Sequence, residues 1–297
     1  MFNLAGNVGH HQHNRPEDVT VVQGHLNQFN FLGRHPRLRV DGYCGIATIS
    51  AIRTFQKVVV GMRHPDGIVA VQGPTWSLLS GKRAIQALNR SERSIALPVG
   101  SPSRLSDDDF QAAANRMGHD ISPLLIKAFA EVESGGKSGF GPDLRPIIAY
   151  EGHIFRRLSK HRFDKTHPLL SYPYKKKAGP EWKANNHDQA TAWETLKTAT
   201  VLDHDAALQA CSWGMFQVMG FNFKSCGYGT VDEFVAAMKA GEKGQLDAFV
   251  GYCIKKAGMI PAMAAKNFAF MATLYNGDDF GDYDQRIKRA YHKLGGS

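Results

Sequence analysis

The stretch Pro123-Leu124-Leu125-Ile126-Lys127-Ala128-Phe129-Ala130-Glu131-Val132-Glu133-Ser134-Gly135-Gly136 reads as one helix with a marked start and stop. Ser122 supplies a cap and Pro123 suits the first helical position. Leu125, Phe129 and Glu133 are four apart and share a face, which Leu124, Ala128 and Val132 widen into an apolar stripe. Glu133 therefore ends a core-facing row. Glu131, two residues back, is turned about 160° away; it follows Lys127 by four, a spacing that suits an exposed ion pair. A carboxyl on the core side is costly unless it has a task. Partial desolvation raises its pKa and keeps it protonated near neutral pH, which is what a general acid for glycosidic cleavage requires. The competing reading of this helix alone is a carboxylate bonded to the loop that follows it. Gly135-Gly136 then end the helix and permit close approach of a polymer.

Helical signals continue on both sides of this segment. Ser106 before Asp107-Asp108-Asp109 puts acids in a first turn, where the helix dipole favours them. Thr230-Val231-Asp232-Glu233 has the form of a capping box. Pro261 opens an apolar helix expected to run toward Tyr275, with Gly277 as its stop. Strand-like alternation is scarce after residue 106, so the expected class is mainly all-α. Residues 1–80 carry short helical signals broken by Gly, Asn and Pro. Residues 81–105, with Gly81, Pro98, Gly100 and Pro102, resemble a linker. Residues 106–297 form the larger region, long enough to bury a sizeable core. Lys160–Asn186, with Lys175-Lys176-Lys177 amid Pro, Tyr and His, reads as a long surface insertion.

Composition narrows the partners. Hydrophobic residues at 43% and charged residues at 21% are ordinary for a soluble globular chain. No window approaches the roughly 18 apolar residues of a membrane span. The start, Met1 to Asn7, lacks a basic region followed by an apolar core. The expectation is accumulation in the cytoplasm of whatever cell makes it, without membrane insertion. A net charge of +9 favours polyanions, among them nucleic acid, anionic lipid and wall polymers. Cys44, Cys211, Cys226 and Cys253 are too scattered for a disulfide framework or a zinc site.

Glu133-Ser134 at a helix end resembles the catalytic pair of lytic transglycosylases and goose-type lysozymes. Two further motifs of that superfamily follow in order. Ser212-Trp213-Gly214-Met215-Phe216-Gln217-Val218 is similar to the Gly-Leu-Met-Gln-type turn that lines its sugar cleft, and Leu274-Tyr275-Asn276-Gly277 to its Ala-Tyr-Asn-type helix end. The resemblance is closer to phage-type N-acetylmuramidases of modular endolysins, where a Phe-Glu-x-His-x-Phe segment follows; Tyr150-Glu151-Gly152-His153-Ile154-Phe155 fits it with Tyr for Phe. This similarity covers about residues 106–295 and implies a lysozyme-like helical catalytic domain.

The first region resembles the small three-helix peptidoglycan-binding domain. Its motif is Asp41-Gly42-Tyr43-Cys44-Gly45-Ile46-Ala47-Thr48, followed by a helix ending in Phe55-Gln56. The glycines suit a tight turn and Thr48 suits a helix cap; Ile49, Ile52, Phe55 and Gln56 supply the helix's inner face, and Val22, Leu26 and Phe29 mark an earlier helix. His10, His11 and His13 precede the domain and read as a flexible leader rather than a metal site.

The resemblance implies that Glu133 protonates the leaving oxygen of a MurNAc–GlcNAc bond. Glu151 is the first candidate for a second carboxylate and Asp143 the second, with a helix-bridging role for Glu151 held equally open. Ser134, Gln217, Tyr275 and Asn276 would bind the sugar, with Tyr275 within reach of Glu133. Met215 and Phe216 would wall the cleft, or equally belong to the core. No metal or cofactor is required. The implied partner is bacterial peptidoglycan rather than nucleic acid, met by a monomer after release through a separate membrane pore. Two alternatives stand beside this: a lytic transglycosylase giving 1,6-anhydro products, and a non-catalytic wall-binding virion protein.

Overall fold

A computed structural model describes residues 4–29, 37–81, 96, 102–118 and 120–297. Fourteen α-helices and five short strands are found among them, so the chain is mainly helical. The helices are α1 (Pro16–Gln28), α2 (Ile46–Phe55), α3 (Pro74–Leu79), α4 (Asp107–Met117), α5 (Pro123–Ser134), α6 (Gly152–Leu158), α7 (Pro180–Asn185), α8 (Gln189–Leu202), α9 (His204–Gln209), α10 (Val231–Ala240), α11 (Glu242–Lys255), α12 (Met259–Ala264), α13 (Phe268–Asn276) and α14 (Tyr283–Lys293). The strands are β1 (Val8–Gly9), β2 (Ile68–Val69), β3 (Ile148–Tyr150), β4 (Cys211–Trp213) and β5 (Val218–Met219). No helix among the described residues is long and apolar enough to cross a membrane.

Two compact units divide the chain. The first comprises Met1–Ala96, Arg156–Tyr172 and Trp193–Ala207; the second comprises Leu97–Phe155, Pro173–Ala192 and Leu208–Ser297. The linker expected at residues 81–105 lies largely outside the described residues.

In the first unit, Val22, Leu26, Phe29, Ile52 and Phe55 are buried in one core, where the Phe29 and Phe55 rings meet edge to face at 4.8 Å. Each of the two Asp-Gly turns is stitched by one buried glutamine. The Gln23 amide donates to Asp41 Oδ1 at 3.0 Å and accepts from the Asp41 and Gly42 N–H groups. Gln56 donates to Asp66 Oδ1 at 2.6 Å and accepts from the Gly67 N–H at 2.8 Å. A buried amide is tolerated because both of its ends are satisfied. Phe55 and Gln56 are therefore interior residues of this motif, as is Thr48.

Three expectations are corrected here. Thr48 does not cap α2: Gly45 holds the cap position, and Thr48, already inside the helix, accepts from Gln23 through its hydroxyl at 3.2 Å. The His-rich leader is not a loose tail. Val8–Gly9 pairs antiparallel with Ile68–Val69, and Asn14 bonds both the N–H and the C=O of Gly9. The 160–186 stretch is not a solvated excursion throughout. Leu170, Ser171 and Tyr172 are buried, Ser171 donates to Asp164 at 2.6 Å, and the His167 Nε2 sits 2.8 Å from the Val58 carbonyl.

In the second unit, Ser106 and Asp109 cap α4 reciprocally, and Thr230 and Glu233 do the same for α10. Strands β3, β4 and β5 form an antiparallel sheet in that order, pairing Tyr150 with Cys211 and Ser212 with Met219. An aromatic core lies beneath α5: Phe216 stacks on Phe249 at 4.4 Å, and Phe129 meets Phe249 at 5.3 Å. The helix expected from Pro261 to Tyr275 is two helices. Lys266 adopts φ 52° and Asn267 caps a fresh start by accepting from the Phe270 N–H at 3.1 Å. Glu131 is indeed directed away from Glu133, but it pairs with Lys293 at 2.7 Å, while Lys127 pairs with Asp107 at 2.7 Å. Tertiary partners displaced the i,i+4 pair, whose worth is only a few tenths of a kcal/mol.

Candidate active site

Helix α5 delivers Glu133 as its sequence spacing requires. Leu125 and Phe129 are buried on the same face, Ser122 accepts from the Leu124 N–H at 3.3 Å to fix the start, and Gly135 and Gly136, at φ 63° and 74°, turn the chain away at the end. No L residue adopts two such angles in succession without strain. Glu133 then opens on a cleft of about 220 Å³.

The cleft is lined by Glu133, Glu151, Ser212, Gln217, Val218, Met219, Asn222, Tyr252, Tyr275 and Asn276. Burial raises the Glu133 carboxyl from 4.5 to about 7, although a hydrogen bond from Tyr283 and the nearby Arg286 guanidinium work against the rise. About half of it therefore keeps its proton at pH 7, and most of it does below that, the state in which a carboxyl can give up a proton.

Tyr283, at the start of α14, donates its hydroxyl hydrogen to Glu133 Oε1. Its ring lies parallel to that of Tyr275 at 6.3 Å, and Asn276 hydrogen-bonds its hydroxyl. Helix α14 is held against α5 by Arg286, which donates to the Val132 carbonyl at 3.0 Å. Desolvation and the facing Glu133 push the Tyr283 hydroxyl well above the ordinary phenol range, so it remains a donor.

Glu151 follows β3 and is the second acid of the cleft. Its Oε1 accepts from Trp182 Nε1 at 2.9 Å, its Oε2 lies 3.4 Å from His153 Nδ1, and its N–H donates to the Ala210 carbonyl at 2.9 Å. Gln217 sits in the turn between β4 and β5 at φ 47°. Its amide donates to the Gly214 carbonyl at 2.8 Å and accepts from the Ser212 hydroxyl at 2.7 Å. Gln217 thus both lines the cleft and braces the turn that forms one part of it.

Five of the residues expected to meet substrate are brought together: Glu133, Glu151, Gln217, Tyr275 and Asn276. Others are not. Met215 is buried and its N–H donates to Gln245 Oε1 at 2.7 Å; Phe216 is fully buried in the aromatic core. The Ser134 hydroxyl donates back to the Ala130 carbonyl at 2.7 Å. Asp143 pairs with Arg145 at 2.6 Å, away from the cleft lining. Tyr275 does not bond Glu133; its hydroxyl donates to the Phe216 carbonyl at 2.6 Å.

Residues 122–295, which hold every residue of this cleft, match the family model described as Muramidase, N-acetylmuramidase. The chain belongs to the N-acetylmuramidase family. It is accordingly a glycoside hydrolase acting on peptidoglycan, with the lysozyme-like helical fold. Among solved structures it is similar to the crystal structure of Burkholderia AP3 phage endolysin, at 33% identity over 97% of this chain and 98% of that one, with a TM-score of 0.56. No curated protein matches it.

Within this N-acetylmuramidase, sequence reasoning missed Tyr283, Ser212, Met219, Asn222 and Tyr252. Ser212 was within the quoted motif, and its place opposite Met219 follows from strand pairing. Tyr283 carried no local signal, since it lies 150 residues from Glu133 in a polar helix.

Proposed function

We propose that this N-acetylmuramidase is an endolysin: a wall-binding module at residues 1–80, a linker at 81–105, and a catalytic domain at 106–297 that hydrolyses the MurNAc–GlcNAc bond. The observation that carries the catalytic reading is the pair of carboxyls, Glu133 and Glu151, in one cleft, with Glu133 raised by burial to about 7 so that much of it still carries its proton near neutral pH. Glu133 gives its proton to the glycosidic oxygen as the bond to the sugar C1 breaks. Glu151 takes a proton from the water that attacks C1, so that each sugar leaves with a hydroxyl. Tyr283 keeps the Glu133 carboxyl aimed, and Asn276 and Gln217 present polar groups toward the sugar. A second carboxylate favours water over the substrate's own C6 hydroxyl as the attacking group. The similarity to a phage endolysin supports action on a host wall, reached from the host cytoplasm through a separate membrane pore. The buried core and the stitched Asp41-Gly42 turn support the wall-binding module as a folded unit. We further propose that the enzyme works as a monomer and takes no nucleic acid. The test is lysis of permeabilised cells: Glu133→Gln should lose clearing by about 10³-fold or more and still sediment with sacculi, and clearing at the wild-type rate would remove Glu133 from the mechanism.

A further inference from the structure

The basic stretch after the buried Tyr172 takes up no part of the mechanism above, yet it is tied twice to neighbours of the cleft-lining residues. Tyr174 is 62% exposed. Its ring meets His153 edge to face at 5.0 Å, and His153 Nδ1 lies 3.4 Å from the Glu151 carboxylate. Two residues on, Lys176 pairs with Asp279 at 3.1 Å, three positions beyond the cleft residue Asn276. Between them, Lys175 folds back to pair with Glu181 at 2.8 Å, next to Trp182, which donates to Glu151. Lys177 is exposed and makes no ion pair or hydrogen bond with the described residues.

We propose that residues 173–177 form a strap beside the cleft that recognises the substrate beyond the reacting bond. The occupant is an acetylated amino-sugar strand bearing its peptide. Tyr174 offers an exposed aromatic surface to a sugar ring, and Lys177 faces the carboxylates of the peptide substituent. A single flexible lysine would carry little specificity; the fixed geometry comes from Lys175, Lys176 and His153, which hold the segment at three points. Because His153 touches both Tyr174 and Glu151, sugar seated on the strap is registered against the second carboxyl. The strap thus sets preference for peptide-bearing glycan over bare glycan. This inference rests on the reading of the cleft as the catalytic site.

The test compares soluble peptide-bearing glycan strands with the same strands stripped of peptide. Tyr174→Ala should raise KM about tenfold on both substrates with kcat within about twofold, and Tyr174→Trp should restore it. Lys177→Glu should raise KM on peptide-bearing strands alone. Unchanged KM in both variants, or a loss confined to kcat, overturns the strap. Each substitution is also combined with Glu133→Gln and binding to the same strands measured without turnover, where about tenfold weaker binding is expected for Tyr174→Ala and unchanged binding refutes the proposal. A wild-type protein that does not cleave, or a Glu133→Gln protein that does, condemns the cleft reading instead; intact behaviour of that pair with silent strap variants condemns the strap alone.

Discussion

Glu133→Gln should make the protein more stable, and only at the higher pH. Glutamine keeps the shape of the protonated carboxyl and can still accept from Tyr283, so the two proteins should be nearly equal where Glu133 is protonated in both folded and unfolded chains. That holds below about pH 4.5, the ordinary value of the carboxyl. Between there and about 7 the unfolded chain releases its proton while the folded chain retains it. Unfolding is then favoured as pH rises, and the wild-type protein loses stability across this window relative to the variant. At about 1.4 kcal/mol per pH unit the span from 4.5 to about 7 corresponds to about 3 kcal/mol. The side chain opens on the cleft, so part of this is relieved by solvent, and we expect about 1–2 kcal/mol. Urea unfolding at pH 4, 6 and 8 measures it: the midpoints should coincide at pH 4 and separate by pH 8, with the variant higher. A difference independent of pH, or a wild-type protein that is the more stable at pH 8, would refute the claim that burial holds Glu133 protonated.

Further outcomes follow from neighbouring contacts. Tyr283→Phe removes a hydrogen bond that favours the Glu133 anion, so the alkaline limb of kcat/KM should move above its wild-type position near pH 7, with turnover down by about 3–10-fold; an unmoved limb in a pH–rate profile would separate Tyr283 from the acid. Gly214→Ala places a Cβ into the Gln245 side chain at φ 69°, and should cost about 2 kcal/mol or more and displace the Met215–Gln217 turn, read as lower Tm together with lost activity. Gln56→Ala leaves the buried Gly67 N–H without its acceptor and should cost about 2–4 kcal/mol, visible as loss of binding to sacculi while hydrolysis of short soluble substrate survives.

The parts of the site that could be read from the sequence were those set by local periodicity. Glu133 was separable from Glu131 because a helix turns two residues to nearly opposite sides, and the structure keeps that separation even though it gives Glu131 the partner Lys293. The turn at Gly214–Gln217 was legible as a motif, yet its inner division was not. Met215 and Phe216 face the core while Gln217 reaches the cleft, because strand pairing across β4 and β5 sets which side each residue takes. Tyr275 illustrates the same limit: its place on the helix was expected, but its hydroxyl found the Phe216 carbonyl. The contact with the acid fell to Tyr283, whose position depends on α14 packing along α5, a tertiary fact with no short-range signature. The leader misread as loose failed for a similar reason, since a two-residue strand is stabilised by a partner about 60 positions away.

Digestion of purified peptidoglycan with mass analysis of the new sugar end tests the central claim most directly. Wild-type protein should release fragments ending in reducing MurNAc, each carrying one added water per bond cut, and Glu133→Gln should release none. Fragments ending in 1,6-anhydro-MurNAc, or unimpaired cleavage by Glu133→Gln, would contradict hydrolysis by Glu133 and its cleft partner Glu151.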